Sequence, residues 1–251
     1  MGQHFTIDQL IFLDTETTGI DAADRLCQVA YKYQGIEYNE LFKPEVSISI
    51  DAMSISHITN EMVASKDSFE GSEMQNHLND LFQAGGIMVA HNAPFDVSML
   101  ERDGVASITH VIDTLKVAKA LDLDAVIPKY NMQYLRYYHK LEITDPVQAH
   151  DALGDIRVLE KLFLYYFDLM MQDMNNEYAV IEKMIEISSA PTVHRVMPFG
   201  KYKDQKIEDV LATDKGYLTW LLQTKRKDLQ EKGIDDDGWI HTIEHYFANR
   251  K

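Results

Sequence analysis

Residues 11–20 read IFLDTETTGI, and this stretch decides the fold. An apolar run ends in Asp14 and Glu16, two carboxylates separated by a single residue. Because side chains at positions i and i+2 of a strand point to the same side, we expect both to face one way. They would lie at the carboxyl end of a buried strand, where open α/β sheets place their ligand crevice. From this motif alone, a solvated turn capped by Thr17 or Thr18 is the alternative interpretation.

Two carboxylates at the tip of a buried strand repel each other and lose hydration, so they need a cation. Oxygen ligands of this kind suit Mg²⁺ or Mn²⁺. The pattern therefore predicts a divalent-metal site at the carboxyl end of the first strand.

Two further segments bring a carboxylate to the end of an apolar element. In residues 90–100, AHNAPFDVSML, a buried strand ends and Asp96 follows in the first turn of a helix. In residues 149–163, AHDALGDIRVLEKLF, His150 precedes a helix that has Asp155 one turn inside it. Taken alone, these could be a helix-terminal acid and a surface histidine. Together, the carboxylates could hold two divalent ions about 3.5–4 Å apart for displacement at phosphorus, with His150 taking a proton from water.

Strand-like and helix-like segments alternate along most of the chain. Residues 25–34 and 36–44 are predicted to form a hairpin that turns near Gly35. The other predicted elements are strands at 86–92 and 109–113 and helices at 60–66, 72–86, 94–104, 114–123, 131–141 and 151–171. An antiparallel meander followed by alternating strands and helices predicts an α/β fold with a mixed β-sheet flanked by helices.

The composition predicts a soluble globular protein, because 45% of the 251 residues are hydrophobic and 25% are charged. No apolar stretch reaches the roughly 18 residues of a transmembrane helix, and no secretory signal is visible at the N-terminus. The single cysteine, Cys27, excludes an internal disulfide framework and lies in a strand-like segment, where a buried apolar role is expected. We therefore expect a cytoplasmic protein without a membrane partner.

The formal net charge of −16 argues against a broad nucleic-acid-binding surface. The charge is uneven, because the residues from Pro191 onward contain 11 Lys/Arg and 10 Asp/Glu, whereas the first 190 contain 13 and 30. A polyanionic substrate would therefore have to meet a local site or bound cations.

The ordered motifs DTETTG, HNAPFD and HDALGD resemble those of the DEDDh group of DnaQ-like 3′→5′ exonucleases, which have a ribonuclease H-like fold. The resemblance implies an exonuclease domain at residues 1–170. It implies two Mg²⁺ or Mn²⁺ ions, with His150 as general base and hydrolysis at a 3′ end that releases nucleoside 5′-monophosphates. The implied metal ligands are Asp14, Glu16, Asp96 and Asp155.

The same resemblance suggests which residues meet the terminal nucleotide: the backbone around Thr15, the side chains of Thr18 and Ile20, and Phe95 as a wall. A core position is the alternative for Phe95. Asn92, with His91, is expected to order the loop between strand and helix, and Asn92 is also a candidate contact to the substrate. His57 is expected to be a structural polar residue or to approach the substrate, and Asp113 to cap a helix.

Residues 197–222, MPFGKYKDQKIEDVLATDKGYLTWLL, resemble the small C-terminal module of exonuclease X-like proteins. We expect a connector helix at 171–190 and the module at 191–251. Asp204 stands where relatives often carry glycine, so the turn there could differ. Lys201, Tyr202 and Lys203 are candidate nucleic-acid contacts, while most of Tyr217, Trp220, Leu221 and Leu222 should form the module's own core.

The expected partner is nucleic acid with a free 3′ end, with DNA favoured. RNA or very short oligonucleotides are the alternative, which the acidic first 190 residues favour. An inactive binding or scaffold module and a ribonuclease H-type endonuclease are the remaining hypotheses.

Overall fold

The computed structural model describes residues 5–143, 152–232 and 238–249. The strands are β1 (Leu10–Thr17), β2 (Leu26–Tyr33), β3 (Ile36–Leu41), β4 (Ile87–Ala90) and β5 (His110–Asp113). The helices are α1 (Ile50–Ser56), α2 (Asn60–Val63), α3 (Glu73–Gln83), α4 (Ala93–Arg102), α5 (Thr114–Leu121), α6 (Met132–Tyr138), α7 (Ala152–Met174), α8 (Glu177–Ser189), α9 (Ile207–Thr213), α10 (Lys215–Lys232) and α11 (Trp239–Ala248). Short 3-10 helices occupy Ile7–Gln9 and Gly200–Tyr202.

The strands form a five-stranded mixed sheet in the order β3-β2-β1-β4-β5. β1, β2 and β3 pair antiparallel, whereas β4 and β5 continue the sheet parallel to β1. Gln34 and Gly35 join β2 to β3, and both have positive φ angles, as a tight two-residue hairpin turn requires. The mixed sheet flanked by helices confirms the predicted fold class.

Successive residues of β1 face opposite sides of the sheet, and each side packs against different helices. Ile11 and Leu13 belong to a buried cluster with side chains of α3 and α4. Phe12 faces the other side, where its ring lies 5.4 Å edge-to-face from Phe163 of α7. Asp14 follows Phe12 at the strand period of two, so its side chain leaves on the α7 side.

Ion pairs fix α7 on this side of the sheet. Lys32 of β2 lies 2.7 Å from Glu160, and Arg157 makes two hydrogen bonds, of 2.9 and 3.1 Å, to Glu37 of β3. Because α7 is anchored along its length to β1, β2 and β3, its first turn is held near the tip of β1.

The chain divides into two compact units, one of residues 1–121 and 128–189 and the other of residues 122–127 and 190–251. In the first unit, α8 packs against β5 and α5. The second unit has its own core, formed by Met197, Ile207, Val210, Leu211, Leu218, Leu221, Leu222, Trp239 and Ile243. The domain boundaries at 170 and 190 stay a prediction. None of the described helices is both long enough and apolar enough to cross a membrane.

Candidate active site

Three of the predicted ligands converge where β1 ends. Asp14 and Glu16 each present a carboxylate oxygen that lies within 4.8 Å of the other and of one from Asp155. The strand period puts Asp14 and Glu16 on the α7 side of the sheet, and Asp155 lies in the first turn of α7. Asp155 is buried and the other two are half-buried. Oxygen-only donors so close together repel one another, and a divalent cation relieves that repulsion, so the donor set fits such an ion.

The sheet is irregular at this tip. β1 pairs with β4 only as far as Phe12, so its last five residues extend beyond that neighbour. On the other side, the register with β2 shifts between Glu16 and Thr17, which leaves Cys27 as an extra residue. Bulges of this kind often lie next to active sites, where they redirect a side chain. The sequence carried no signal for this bulge.

Asp96 lies outside that three-carboxylate group. Its Oδ1 atom accepts hydrogen bonds from the backbone N–H of Thr15 at 3.2 Å and from the Thr15 hydroxyl at 2.7 Å. Thr15 points to the α4 side because it stands between Asp14 and Glu16 on the strand. Burial raises the pKa of Asp96 to about 7, an effect that the Thr15 hydrogen bonds oppose and the nearby charge of Asp113 assists. The sequence predicted the position of Asp96 at the start of α4 but not its bond to Thr15.

One hydrogen bond to Asp155 could not be predicted from the sequence. The amide Nε2 of Gln133, on α6, donates to Asp155 Oδ1 at 2.9 Å, and Gln133 Oε1 accepts from Arg136 Nη1 at 3.5 Å. The contacts with Asp155 and Arg136 decide which atom of the Gln133 amide is the nitrogen, because the flipped amide would place its oxygen against the Asp155 carboxylate. Gln133 therefore holds one oxygen of Asp155 in place. Only the folded chain brings α6 and α7 together, so no local pattern could indicate this contact.

The loop after β4 is held by the side chain of His91 and by the backbone N–H of Asn92. His91 bonds through Nδ1 to the Thr114 hydroxyl at 2.9 Å and through Nε2 to the carbonyl of Tyr130 at 2.7 Å. Burial lowers the pKa of His91, so the neutral ring is favoured. Asp113 accepts from the backbone N–H groups of Asn92, at 3.0 Å, and Leu115, at 2.9 Å, so its predicted role as a helix cap is confirmed.

The residues predicted to meet a nucleotide differ in accessibility. Thr18 is fully buried, with its hydroxyl donating to Asp24 at 2.6 Å, so its side chain holds the loop after β1. Ile20 is 85% exposed, which leaves an apolar side chain in water beside the site's strand. Phe95 is partly buried against the core on the α4 side, and Asn92 is exposed with a φ of 70°.

Of the two other candidate histidines, the structure describes only His57. His150 lies outside the described residues, so its role as general base stays a prediction. His57 ends α1 with a φ of 59°, and its side chain is exposed.

In the second unit, Asp214 holds two of the candidate nucleic-acid contacts. Its Oδ2 accepts from the Tyr202 hydroxyl at 2.6 Å and from Lys201 Nζ at 3.2 Å, while Lys203 is exposed. Leu221 and Leu222 are buried and Tyr217 packs against the second core, so the expectation that most of Tyr217, Trp220, Leu221 and Leu222 form that core is confirmed. Trp220 is the exception, with 56% of its surface exposed. It lies on the outer side of α10, three residues from Tyr217, whose ring is 5.7 Å away.

The turn at Asp204 has the backbone conformation that is typical of glycine. Asp204 has a φ of 66°, so it adopts the left-handed conformation that glycine prefers. Aspartate tolerates this conformation better than most residues, because its short side chain can hydrogen-bond locally. The glycine-type turn is therefore kept without glycine.

The exonuclease family model matches residues 11–163, which contain the three converging carboxylates, Asp96 and Gln133. This chain belongs to the exonuclease family. A second model, for the exodeoxyribonuclease X-like C-terminal region, matches residues 197–225. Both resemblances drawn from the sequence motifs are confirmed.

Individual relatives agree with this assignment. Exodeoxyribonuclease 10 of Escherichia coli (strain K12) is 29% identical over 96% of this chain and 99% of its own length. DNA polymerase III subunit epsilon of Treponema pallidum (strain Nichols) is 33% identical over 60% of this chain and 72% of its own length. The solved structure of exonuclease X in complex with 5′ overhanging duplex DNA has a TM-score of 0.53 and 27% identity, covering 72% of this chain and 99% of that one.

Proposed function

We propose that this exonuclease uses two divalent cations, Mg²⁺ or Mn²⁺, to remove nucleotides from the 3′ end of DNA as nucleoside 5′-monophosphates. The convergence of Asp14, Glu16 and Asp155 at the tip of β1, inside the exonuclease-family region, carries this proposal. Two relatives point to DNA, since one is named an exodeoxyribonuclease and one solved structure holds duplex DNA.

The cations would be held by Asp14, Glu16 and Asp155, with Asp96 as the fourth ligand. Bound there, divalent cations would stabilise the attacking and leaving oxygens of an in-line displacement. For Asp96 to join them, its carboxylate has to keep or exchange the two Thr15 hydrogen bonds. Its pKa of about 7 favours a neutral carboxyl below pH 7 without a cation, and a bound cation would favour the ionised form.

The other residues of the site position the groups that react. Gln133 fixes the Asp155 carboxylate through Oδ1. His150, five residues before Asp155, is proposed as the base that accepts a proton from the attacking water. Ile20, Phe95 and Asn92, with the backbone of Thr15 and the Thr18 loop, are proposed to surround the terminal nucleotide.

The remaining proposals concern organisation. Residues 1–170 would act as the exonuclease domain, 171–190 as a connector and 191–251 as a module that adds nucleic-acid contacts through Lys201, Tyr202 and Lys203. The bond of Lys201 and Tyr202 to Asp214 limits that contribution, because both side chains already have a partner. A single, buried cysteine fits work in the reducing cytoplasm.

A second substrate class is favoured by the acidic charge of the first 190 residues, which opposes extended polyanion binding. An exoribonuclease, or a nuclease for very short oligonucleotides, would need only the metal site and a small pocket. Single strands of matched sequence in DNA and RNA, at several lengths and each with a 5′ label, discriminate these functions. We expect longer DNA to be shortened fastest, whereas a clear preference for RNA or for dinucleotides would support the second function.

A further inference from the structure

One side of α6 is linked to the metal site by a continuous series of contacts. Gln133 Nε2 donates to Asp155 at 2.9 Å, and Arg136 Nη1 donates to Gln133 Oε1 at 3.5 Å. The Arg136 guanidinium carbon in turn lies 5.2 Å from the centre of the Tyr137 ring. We call Gln133, Arg136 and Tyr137 the α6 row. It leads from a metal-ligand carboxylate to the protein surface within one helix.

Helix geometry explains why these three side chains share a side. Residues three and four positions apart are neighbours on a helix surface, which is the spacing of Arg136 and Tyr137 from Gln133. Leu135 is fully buried and attaches the opposite side of the helix to the protein. Within the α6 row, Gln133 and Arg136 are half-buried and Tyr137 is exposed, so the row runs from the metal site to the surface on a fixed element.

Tyr137 is unusually exposed for a large aromatic side chain, with 72% of its surface in contact with solvent. Its neighbours on α6 pack differently, because Tyr134 and Tyr138 stack on each other with ring centres 6.1 Å apart. In the described part of the chain, the ring of Tyr137 has no aromatic partner and meets only the Arg136 guanidinium among cations. One of its ring faces is thus available to a planar group.

The α6 row carries a positive charge in a part of the chain that is mostly acidic. The first 190 residues have 30 acidic and 13 basic side chains, yet Arg136 makes no salt bridge within the described residues. Lys140 follows the helix in the left-handed conformation, with a φ of 56°, and its side chain is exposed. An aromatic face flanked by cations is the combination that single-stranded nucleic acid recognises, through base stacking and phosphate contacts.

We propose that the α6 row, with Lys140, is the surface on which the substrate strand lies next to the metal site. A base stacks on Tyr137, and the phosphate beside it faces Arg136. This assignment rests on the proposed nuclease function, and it names a binding surface that lies on α6 and outside the pocket for the terminal nucleotide.

The test compares a long substrate with a small one. A long 5′-labelled single DNA strand can cover α6, whereas the p-nitrophenyl ester of thymidine 5′-monophosphate reaches the metal site alone. For Tyr137→Ala, we expect kcat/KM on the strand to fall about fivefold or more, and clearly further than kcat/KM on the ester. Tyr137→Phe, which keeps the stacking face, should stay close to wild type on both.

Tyr138→Ala is the matched control, since it removes an adjacent tyrosine whose ring stacks on Tyr134 and not in the α6 row. Equal losses for Tyr137→Ala and Tyr138→Ala on the strand would overturn the assignment. A wild-type protein that cleaves neither substrate would instead contradict the proposed function.

Binding without cleavage gives a second, independent measurement. In EDTA, the affinity of a fluorescent single strand is measured against salt concentration for wild type, Arg136→Ala and Lys140→Ala. Loss of one phosphate contact should lower the slope of log affinity against log salt by about 0.7. Lys161→Ala, an exposed lysine of α7, is the control. Slopes unchanged in both α6 variants would show that these cations do not meet the strand.

Discussion

Cys27 is fully buried in β2, at the bulge beside Glu16. Burial, with the nearby charge of Glu16, raises the pKa of the thiol to about 12. Because the thiolate is the reactive form, we expect no reaction of native protein with a thiol reagent at pH 8, and full reaction in denaturant. A colorimetric thiol titration measures this. Rapid labelling of the native protein would contradict the burial of this strand.

Gln133 should tune metal binding through Asp155. Gln133→Met keeps the length and helix propensity of the side chain but removes the donor to Asp155 Oδ1. Loss of such a supporting hydrogen bond typically weakens metal affinity about 10–100-fold. Titration of Mn²⁺ into metal-free protein, followed by calorimetry, should show a weaker Kd while the melting temperature without metal changes little. Gln223→Met, at an exposed position of α10, is the control. Equal Kd values for the two variants would contradict the role of Gln133.

Asp96 should make the metal-free protein sensitive to pH. Its pKa rises from 3.8 to about 7 on folding, so the folded state holds this proton more tightly than the unfolded state. The contribution of Asp96 to unfolding free energy is therefore greatest at low pH and declines as pH rises from 3.8 to about 7. Asp96→Asn removes the free-energy cost of ionising a buried carboxyl group. The variant keeps both hydrogen bonds from Thr15, because an amide oxygen can still accept them.

The expected result is a higher melting temperature for Asp96→Asn than for wild type at pH 8 in EDTA, with little difference at pH 4. Activity should be lost, since the proposed fourth metal ligand has been neutralised. A variant that is less stable than wild type at pH 8 would contradict the expected cost of ionising the buried Asp96 carboxyl group.

At the scale of elements, Asp214 joins the start of α10 to the 3-10 helix at Gly200–Tyr202. It accepts from the backbone N–H of Tyr217 at 3.1 Å, as a helix cap does, and from Tyr202 and Lys201. These hydrogen bonds lower the pKa of Asp214, so its contribution to the unfolding free energy is present above the unfolded pKa and is lost as pH falls through the folded pKa. We expect Asp214→Ala to lower the melting temperature of the second unit, and Asp214→Asn, which keeps an acceptor, to lower it less.

Circular dichroism on the full chain measures the melting temperatures of the Asp214→Ala and Asp214→Asn variants. Asp209→Ala is a matched control, because Asp209 is an exposed acid in the first turn of α9. A loss from Asp214→Ala no larger than that from Asp209→Ala would contradict the linking role.

Elements with a strong local pattern were predictable from the sequence, and the contacts between elements were not. The hairpin at Gly35 follows from turn chemistry, and α7 follows from apolar spacing of three and four residues. The bond from Gln133 to Asp155 joins residues 22 positions apart, and that from Thr15 to Asp96 joins residues 81 apart. Such pairs depend on how helices pack on the sheet, for which one sequence has no local signal.

The exposure of Trp220 is another feature that the sequence alone does not predict. Its place in an apolar stretch indicates burial, but the phase of α10 relative to the second core decides which residues face inward. Leu221 and Leu222 take the inner positions, and Trp220 is left exposed. The position of Asp14 and Glu16 was predictable because strand alternation is strict over two residues.

For the whole molecule, the cluster of carboxylates predicts linkage between metal binding and stability. A ligand that binds only the folded state stabilises it by about 2.7 kcal/mol at a concentration 100 times its Kd. We expect Mg²⁺ or Mn²⁺ to raise the melting temperature of wild type and to raise that of Asp14→Ala much less. Scanning calorimetry with NaCl at matched ionic strength provides the control. Identical shifts in the two proteins would contradict metal binding at the tip of β1.

We propose that the carboxylates at the tip of β1 perform metal-dependent removal of nucleotides from a 3′ end. The most direct measurement incubates a 5′-labelled DNA strand with wild type or Asp14→Ala, each in Mg²⁺, Mn²⁺ or EDTA. We expect a ladder that shortens from the 3′ end with wild type and metal, and intact strand in EDTA or with Asp14→Ala. Shortening that persists in Asp14→Ala, or internal cuts without a ladder, would contradict it.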